Sequence, residues 1–419
     1  MARRVHATAT FYDVRDQSGD VQLVLKQEFC PKYKSMMDLD IGDIVSVRGH
    51  VYITPRGQCS LQVEDFELLA KSLRPLPDRK AGLRDKGTRL RHRELDLLGD
   101  PHARALFGAR ARIIAAVRQW LNDRGYTEVE TPALQALAGG SNSKPFVTYH
   151  YALERELHLA VSPELYLNRT IVGGLENVYA LGKSFRNEGI SRKHNPEFTE
   201  LEWMHTYADY QDVAYDTELM VEFVAQTALG STAIKCQGQD IDFADPWERI
   251  TMRELIHQRT GLDFLGASVE EMSALVPDSE GLVTKAQCAM ELYTKLIEAT
   301  IIQPTFVFDF PLESFPITKR HPVNPYLGEH FDAVIGGIEL VSGDTELNDP
   351  ADQHQRFVEQ QDGQAPQPHD EEYVRALEYG YAPTGGGGMG IDRLVMILTE
   401  SDSLRDVIPF PMLRLANTS

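Results

Sequence analysis

The stretch from Tyr179 to Met204 constrains the fold most, because it reads as two strands joined by a charged loop. Phe185-Arg186-Asn187-Glu188-Gly189 closes the first strand, and Ile190 to Pro196 is a basic loop carrying Arg192, Lys193 and His194. Glu197 to Met204 then resumes as a strand, where the two-residue period puts Phe198, Glu200, Glu202 and Met204 on one face. An aromatic and two carboxylates on one face suit a purine and a cationic group, and Arg186 at the strand end suits a phosphate fork. Alternating acids on a solvated hairpin are the plain alternative.

Two further stretches carry chemistry. If Gly336-Gly337 makes a hairpin turn, Asp332 and Glu339 become diagonal cross-strand neighbours on one face. Carboxylates held that close repel unless a cation separates them, and Mg2+ shared with nucleotide phosphates is the usual solution; solvated acids are the plainer one. The run Thr384 to Gly390, leading into Ile391-Asp392-Arg393, allows close backbone approach to a ligand, with a helix start and Arg393 as an anion site. A flexible linker is the alternative there. The glycine run lacks a GxGxxG frame after a βαβ strand, and Gly182-Lys183-Ser184 has Asn177 where a P-loop requires glycine.

Around these stretches the chain organises into modules. Residues 5 to 70 hold short alternating segments, Val21 to Leu25 and Ile44 to Val47 among them, with turn signals at Ser18-Gly19, Ile41-Gly42-Asp43 and Pro55-Arg56-Gly57. They predict a small antiparallel barrel over 1–75. Residues 76–100 read as a linker that is locally basic through Arg84, Lys86, Arg89, Arg91 and Arg93, either a solvated face or a nucleic-acid contact. The larger domain, 101–419, opens with a helix from Pro101 to Asp123, its apolar stripe formed by Leu106, Ile113, Ile114, Val117 and Leu121. Gly125 ends it before the extended Thr127 to Pro132, and helical patterns over 245–303 read as an insertion.

Composition narrows the partners. With 42 Lys plus Arg against 62 Asp plus Glu in 419 residues, the net charge is −20, so nucleic acid must be met by local basic patches. Cys30, Cys59, Cys236 and Cys288 form no CxxC pair, which argues against a zinc knuckle and leaves a reducing cytoplasm as the expected compartment. No apolar run reaches membrane-spanning length and no signal-peptide pattern follows Met1, so no membrane partner is expected.

Taken in order, the three stretches resemble the class II aminoacyl-tRNA synthetases. Gly125 to Pro132 is similar to the family's motif 1, Phe185 to Gly189 with His194 to Thr199 to motif 2, and Gly388 to Arg393 to motif 3. Within the family the lysyl-tRNA synthetases are indicated by Lys144-Pro145-Phe146, Ser162 to Tyr166, Tyr207 to Tyr210 and Thr345 to Pro350. The resemblance implies an α+β fold: an antiparallel sheet flanked by helices, preceded by an OB barrel that reads an anticodon. It also implies a homodimer, ATP and Mg2+ as cofactors, tRNA as partner and a small cationic amino acid as substrate. Carried onto this chain, Arg186 holds the α-phosphate, Phe198 stacks on adenine, Arg393 holds the γ-phosphate, and Glu188 and His194 complete the ATP site. Asp332 and Glu339 hold magnesium. Glu164 takes the α-amino group, Glu202 and Glu346 face the substrate side chain, and Gly140, Met204, Ser342 and Asp344 complete that pocket. In the barrel, Phe11, Gln22 and Asp65 stand at anticodon positions.

The chain also departs from the family's pattern. Met204 stands for a tyrosine, Ser342 for an asparagine, Asp344 for an aromatic, Ala180 for a glutamate, Ala160 for an arginine and Asp332 for a glutamate, while Glu200 is an added acid. The family's leading helical extension has no counterpart before Arg3-Arg4, which implies a displaced start or weakened tRNA binding. The expectation is therefore lysine activation and transfer to tRNA. Its rivals are a tRNA-independent paralogue activating ornithine, diaminobutyrate, β-lysine or a modified lysine, and a catalytically silent regulator.

Overall fold

The computed structural model describes residues 2–6, 9–55, 57–77, 82–137, 139–140, 143–236, 238–279, 281–361 and 370–414. Arg56 of the expected turn and Asp78 to Ala81 of the expected linker lie outside the described residues. The chain divides into two compact units, residues 1–101 and 102–419.

The first unit is built on five strands: β1 (Ala2–Val5), β2 (Thr10–Arg15), β3 (Asp20–Leu25), β4 (Ile44–Ile53) and β5 (Cys59–Ala70). They are ordered β1-β2-β3-β5-β4, and helix α1 (Tyr33–Met36) lies between β3 and β4 in sequence. The expected antiparallel barrel needs one correction: β3 and β5 pair in parallel. Parallel neighbours require a crossover, which the long path through α1 and β4 supplies. Tyr12, Leu23, Leu25, Val63 and Phe66 point inward as one core with Cys30, Met36 and Leu39.

The stretch read as a linker contains two short helices, α2 (Lys86–Arg91) and α3 (Arg93–Gly99). Asp85 caps α2 by accepting from the Thr88 amide at 2.6 Å, and Leu90 is buried. Two of the basic residues meet acids of the same stretch: Arg89 pairs with Asp96 at 2.6 Å and Asp100 at 2.8 Å, and buried Arg93 pairs with Asp96 at 2.9 Å. Charge runs with opposite signs three to eleven residues apart thus close on themselves.

The second unit is organised around an eight-stranded sheet ordered β14-β15-β16-β17-β18-β11-β10-β6. Its strands are β6 (Thr127–Glu128), β10 (Val178–Phe185), β11 (Glu197–Thr206), β14 (Glu248–Thr251), β15 (Thr305–Phe308), β16 (His330–Ile335), β17 (Ile338–Thr345) and β18 (Thr384–Gly390). The six central strands are antiparallel as expected, whereas β14 with β15 and β6 with β10 are parallel edge pairs. Residues 252–304, most of the stretch read as a helical insertion, are the crossover of the β14–β15 pair. They hold α7 (Met252–Thr260), α8 (Val269–Ser273) and α9 (Lys285–Leu292), packed on Val307, Phe310 and Val334. The β6–β10 crossover holds a small sheet of β7 (Leu134–Gln135), β8 (Val147–His150) and β9 (Arg155–Leu159), then α5 (Glu164–Val172). Strands β12 (Ala233–Cys236) and β13 (Gln239–Asp242) form a separate hairpin.

Helices α4 (Pro101–Asp123), α6 (Tyr210–Leu229) and α12 (Ile391–Leu398) cover one face of the sheet. The buried stripe of α4 is Ile113, Val117, Trp120 and Leu121, close to the expected one, and it meets Leu201 and Trp203 of β11 in the main core. Asp209, in the Tyr207 to Tyr210 stretch, caps α6 by accepting from the Gln211 and Asp212 amides, so its role here is structural. Helices α10 (Pro350–Gln361), α11 (Glu371–Leu377) and α13 (Leu404–Val407) complete the unit.

The glycine run is a central strand rather than a loop. β18 pairs with β11 on one side and β17 on the other, so Gly387 lies opposite Trp203 and Gly386 opposite Asp344. A Cβ on Gly387 would stand 2.5 Å from the ring of Trp203, which is fully buried. Glycine is therefore required by packing and not by turn geometry. Gly387→Ala is expected to destabilise the fold by about 1–3 kcal/mol through overpacking. Urea denaturation measures this, and an unchanged midpoint would refute the packing argument.

Candidate active site

The second unit encloses a cavity of about 490 Å³ on the sheet face opposite α4, α6 and α12. Strand alternation builds it. Phe198, Glu200, Glu202 and Met204 of β11 line it, while Leu201 and Trp203 face the helices. Ser342 and Asp344 of β17, with Glu346 just beyond it, line a second wall, and Gly386 to Gly390 form the floor between. Gly140, Glu164, Arg186, Glu188, His194, Glu339 and Arg393 also line the cavity, so it brings together all the residues expected for ATP and amino acid.

One end is cationic. The Arg186 guanidinium lies 5.0 Å from the Phe198 ring centroid and 3.8 Å from Glu200. Arg393 donates to the backbone oxygen of Glu339 at 2.6 Å and to its Oε1 at 3.1 Å. His194 Nδ1 is 2.8 Å from Ser191 Oγ, and burial pulls its pKa down. Asp392 anchors this end from within the core: its Oδ2 accepts from the Thr199 amide at 2.9 Å and its Oδ1 pairs with Arg110 at 2.6 Å.

The other end is acidic. Glu202 is 7% exposed; its Oε1 accepts from Ser162 Oγ at 2.8 Å and its Oε2 is buried with no partner among the described residues. Glu346 accepts from Asn168 Nδ2 at 2.9 Å. Burial, then the charge of Asp344, pushes the Glu346 carboxyl up to about 8. Burial likewise raises Glu202 and Glu164 well above the ordinary carboxylate range, helped by the neighbouring acids. Glu200 accepts from Ser184; burial raises it, while Arg186 pulls against the rise. Acids crowded out of water in this way call for a cationic ligand. Met204 is 2% exposed and packs with Val178, Ala180 and Tyr373, an apolar side wall.

The hairpin glycines form the expected turn, both at positive φ (60° and 68°), which pairs Val334 with Glu339 and leaves Asp332 diagonal to it. Glu339 lines the cavity; Asp332 does not, and its carboxylate bonds His330 at 3.3 Å. Arg393 outweighs burial and holds Glu339 below the ordinary range, so an ionised carboxylate is ready for a hard cation arriving with phosphate oxygens. Glu339 fits magnesium; Asp332 is engaged by His330. Sequence reasoning missed His330, Ser162, Asn168 and Ser184, each bonded to a carboxylate of this region, since partners on other elements leave no mark in spacing.

In the first unit, Phe11 pairs with Val24 and Asp13 with Gln22, so Phe11 and Gln22 share a face. Phe11 is half-buried against the His6 ring at 5.5 Å. Gln22 is 8% exposed and accepts from Ser60 Oγ at 3.2 Å. Asp65 pairs with Lys32 at 2.8 Å and Arg48 at 3.7 Å.

A family model for the tRNA synthetases class II (D, K and N) matches residues 85–414. The chain belongs to that family. A second model, for the OB-fold nucleic acid binding domain, matches residues 1–75. Among curated relatives, a lysine–tRNA ligase of Carboxydothermus hydrogenoformans is 44% identical over 429 residues, covering 99% of this chain and 87% of its own. Lysine–tRNA ligases of Moorella thermoacetica (45%) and a Synechococcus species (44%) match over 99% of this chain and 87% and 85% of theirs. The synthetase-type cavity thus sits in a synthetase chain with an N-terminal OB fold. No described helix is long and apolar enough to cross a membrane.

Proposed function

We propose that the chain activates lysine with ATP to form the aminoacyl-adenylate, releases pyrophosphate, and transfers the aminoacyl group to tRNA. The observation that carries this is one cavity with an arginine-rich end around Arg186, Phe198 and Arg393 and a buried acidic end around Glu164, Glu202 and Glu346. The relatives' activity supports lysine and tRNA as the reactants.

In this reading the substrate carboxylate attacks the α-phosphorus in line, and pyrophosphate leaves. Arg186 forks onto the α-phosphate and Phe198 offers its ring to adenine, while Arg393 meets the γ-phosphate. Glu188 and His194 border the phosphate tail. Magnesium supplies charge neutralisation along the triphosphate, with Glu339 as its protein carboxylate and Asp332 as the second candidate. Glu164 takes the α-ammonium, and Glu202 and Glu346 take the ε-ammonium between Gly140, Met204, Ser342 and Asp344. Phe11, sharing a face with Gln22, offers the barrel a stacking platform for unpaired bases, and Asp65 is a further candidate contact. The domains operate as OB fold 1–75, connector 76–100 and catalytic domain 101–419, in a cytoplasmic homodimer.

Lysine-dependent pyrophosphate exchange together with charging of total tRNA tests the proposal. Both activities are expected. Exchange without charging would favour transfer to a protein or metabolite, and absence of both would overturn the reading. Met204, Glu200 and Asp344 in the cavity lining support a second reading, in which another cationic amino acid is preferred, and a substrate panel in the same exchange assay separates the two.

A further inference from the structure

Beside the amino-acid end, a fully buried histidine stands between two aspartates. His330 and Asp332 lie two residues apart on one face of β16, and His330 is directly opposite Asp344 on β17. Nδ1 of His330 donates to Asp344 Oδ1 at 2.8 Å, and Nε2 donates to Asp332 Oδ1 at 3.3 Å. The ring is fixed in place, stacked on Phe315 at 3.6 Å and met edge-on by Phe310 at 4.9 Å.

This arrangement dictates how Asp344 faces the cavity. Its Oδ1 takes two donors, His330 and the Thr318 hydroxyl, while its Oδ2 takes no hydrogen bond among the described residues. Asp344 lines the cavity between Ser342 and Glu346, and its cross-strand neighbour on β18 is Gly386, which brings no side chain to cover it. One oxygen is anchored and the other has no hydrogen-bond partner among the described residues.

We propose that His330 is a positioning residue of the amino-acid site, holding Asp344 with Oδ2 turned to the substrate, and that Asp344 is a specificity-determining residue that discriminates among cationic amino acids by where their side chains carry a donor. The inference rests on the reading that this cavity takes a cationic amino acid. Oδ2 is an acceptor only, so a side-chain ammonium or hydroxyl within reach gains a charge-assisted bond, whereas bare methylenes leave the carboxylate without its partner. Discrimination therefore falls on where the side chain carries its donors, a property on which lysine, ornithine and 5-hydroxylysine differ.

The test measures binding of these three amino acids by calorimetry, and kcat and KM in pyrophosphate exchange, for the parent, Asp344→Asn, His330→Asn and His330→Gln. Asparagine places its amide near the imidazole Nδ1 and so preserves the bond to Asp344; glutamine reaches the Nε2 position and preserves the bond to Asp332. Asp344→Asn is expected to change the ratio of affinities between lysine and the other two by about tenfold, the size typical of losing one recognition bond. His330→Gln should move the ratio in the same direction and His330→Asn should hold it within about twofold, while the KM for ATP should stay put in Asp344→Asn and His330→Gln, which keep the bond to Asp332. A merely structural role would lower everything together and leave the ratio alone. The proposal is overturned if Asp344→Asn leaves the ratio unchanged, or if the two His330 variants behave alike. A parent that binds none of the three amino acids would remove the underlying reading and the inference with it; a parent that binds them while the variants keep its ratio removes only the inference.

Discussion

Arg186→Ala is expected to lower lysine-dependent pyrophosphate exchange by about 10²–10³-fold, the loss typical when one preorganised donor to a developing charge is removed. Arg186 directly follows β10 and lines the cavity, its guanidinium 5.0 Å from the ring centroid of Phe198. Lysine at this position should restore little, since a point charge cannot reproduce a planar two-bond fork. One complication is built into the site: Arg186 is also 3.8 Å from Glu200, whose carboxyl is already raised by burial. Removing the arginine leaves that acid without its cation, which could slow the reaction by repelling phosphate. The double variant Arg186→Ala, Glu200→Gln separates the causes. Exchange that stays low assigns Arg186 to the phosphate, and exchange that recovers to near the parental rate assigns the loss to Glu200. If Arg186→Ala alone kept activity within about tenfold of the parent, the phosphate role would be wrong.

Glu200 also shows which parts of the site were legible in the sequence. The two-residue period of β11 is a local property, so the face carrying Phe198, Glu200, Glu202 and Met204 could be read directly, as could the stripe of α4. The hairpin turn at Gly336-Gly337 was legible for the same reason, because turn chemistry is local. What pairs with each acid was not. Ser184 meets Glu200 across the β10–β11 pair, Ser162 reaches Glu202 across 40 residues and Asn168 reaches Glu346 across 178. The sequence offers Asp332 as a magnesium ligand and Asp344 as a pocket residue, and it does not show that His330 lies between them. The glycine run was hardest, since glycine disfavours strands intrinsically and only the bulk of Trp203 and the neighbouring strands makes β18 necessary. The basic stretch within 76–100 left a solvated face and a nucleic-acid contact open, because the sequence does not show that Arg89 and Arg93 pair with Asp96 and Asp100.

Lysine binding should tighten as pH rises from 6 to 8 and then level off. In the free protein burial, and then the charge of Asp344, hold the Glu346 carboxyl up to about 8, and Glu202 and Glu164 are raised as well, so near neutrality this cluster retains protons that ordinary carboxylates have lost. An ammonium binds the ionised form. Binding at pH 6 must therefore expel a proton that binding a unit or more above the raised pKa need not expel, and for one proton the Kd falls by at most about tenfold per pH unit below that pKa. The acids titrate as a group, so the apparent pKa belongs to the cluster and not to Glu346 alone. Calorimetry in buffers of different ionisation enthalpy counts the protons released, with nearly one expected at pH 6, about half of one near pH 8 and few above about 9. Glu346→Gln should flatten the profile and, at pH 8, weaken lysine by about a hundredfold, within the range for removing one member of a buried charge pair. Glu202→Gln should weaken it at least as much, because Glu202 Oε2 is buried with no hydrogen-bond partner among the described residues and so is an atom an ammonium would satisfy. A parental Kd that does not change between pH 6 and 8 would mean that the acids are already ionised, and that the cavity relies on groups other than these to hold its cation.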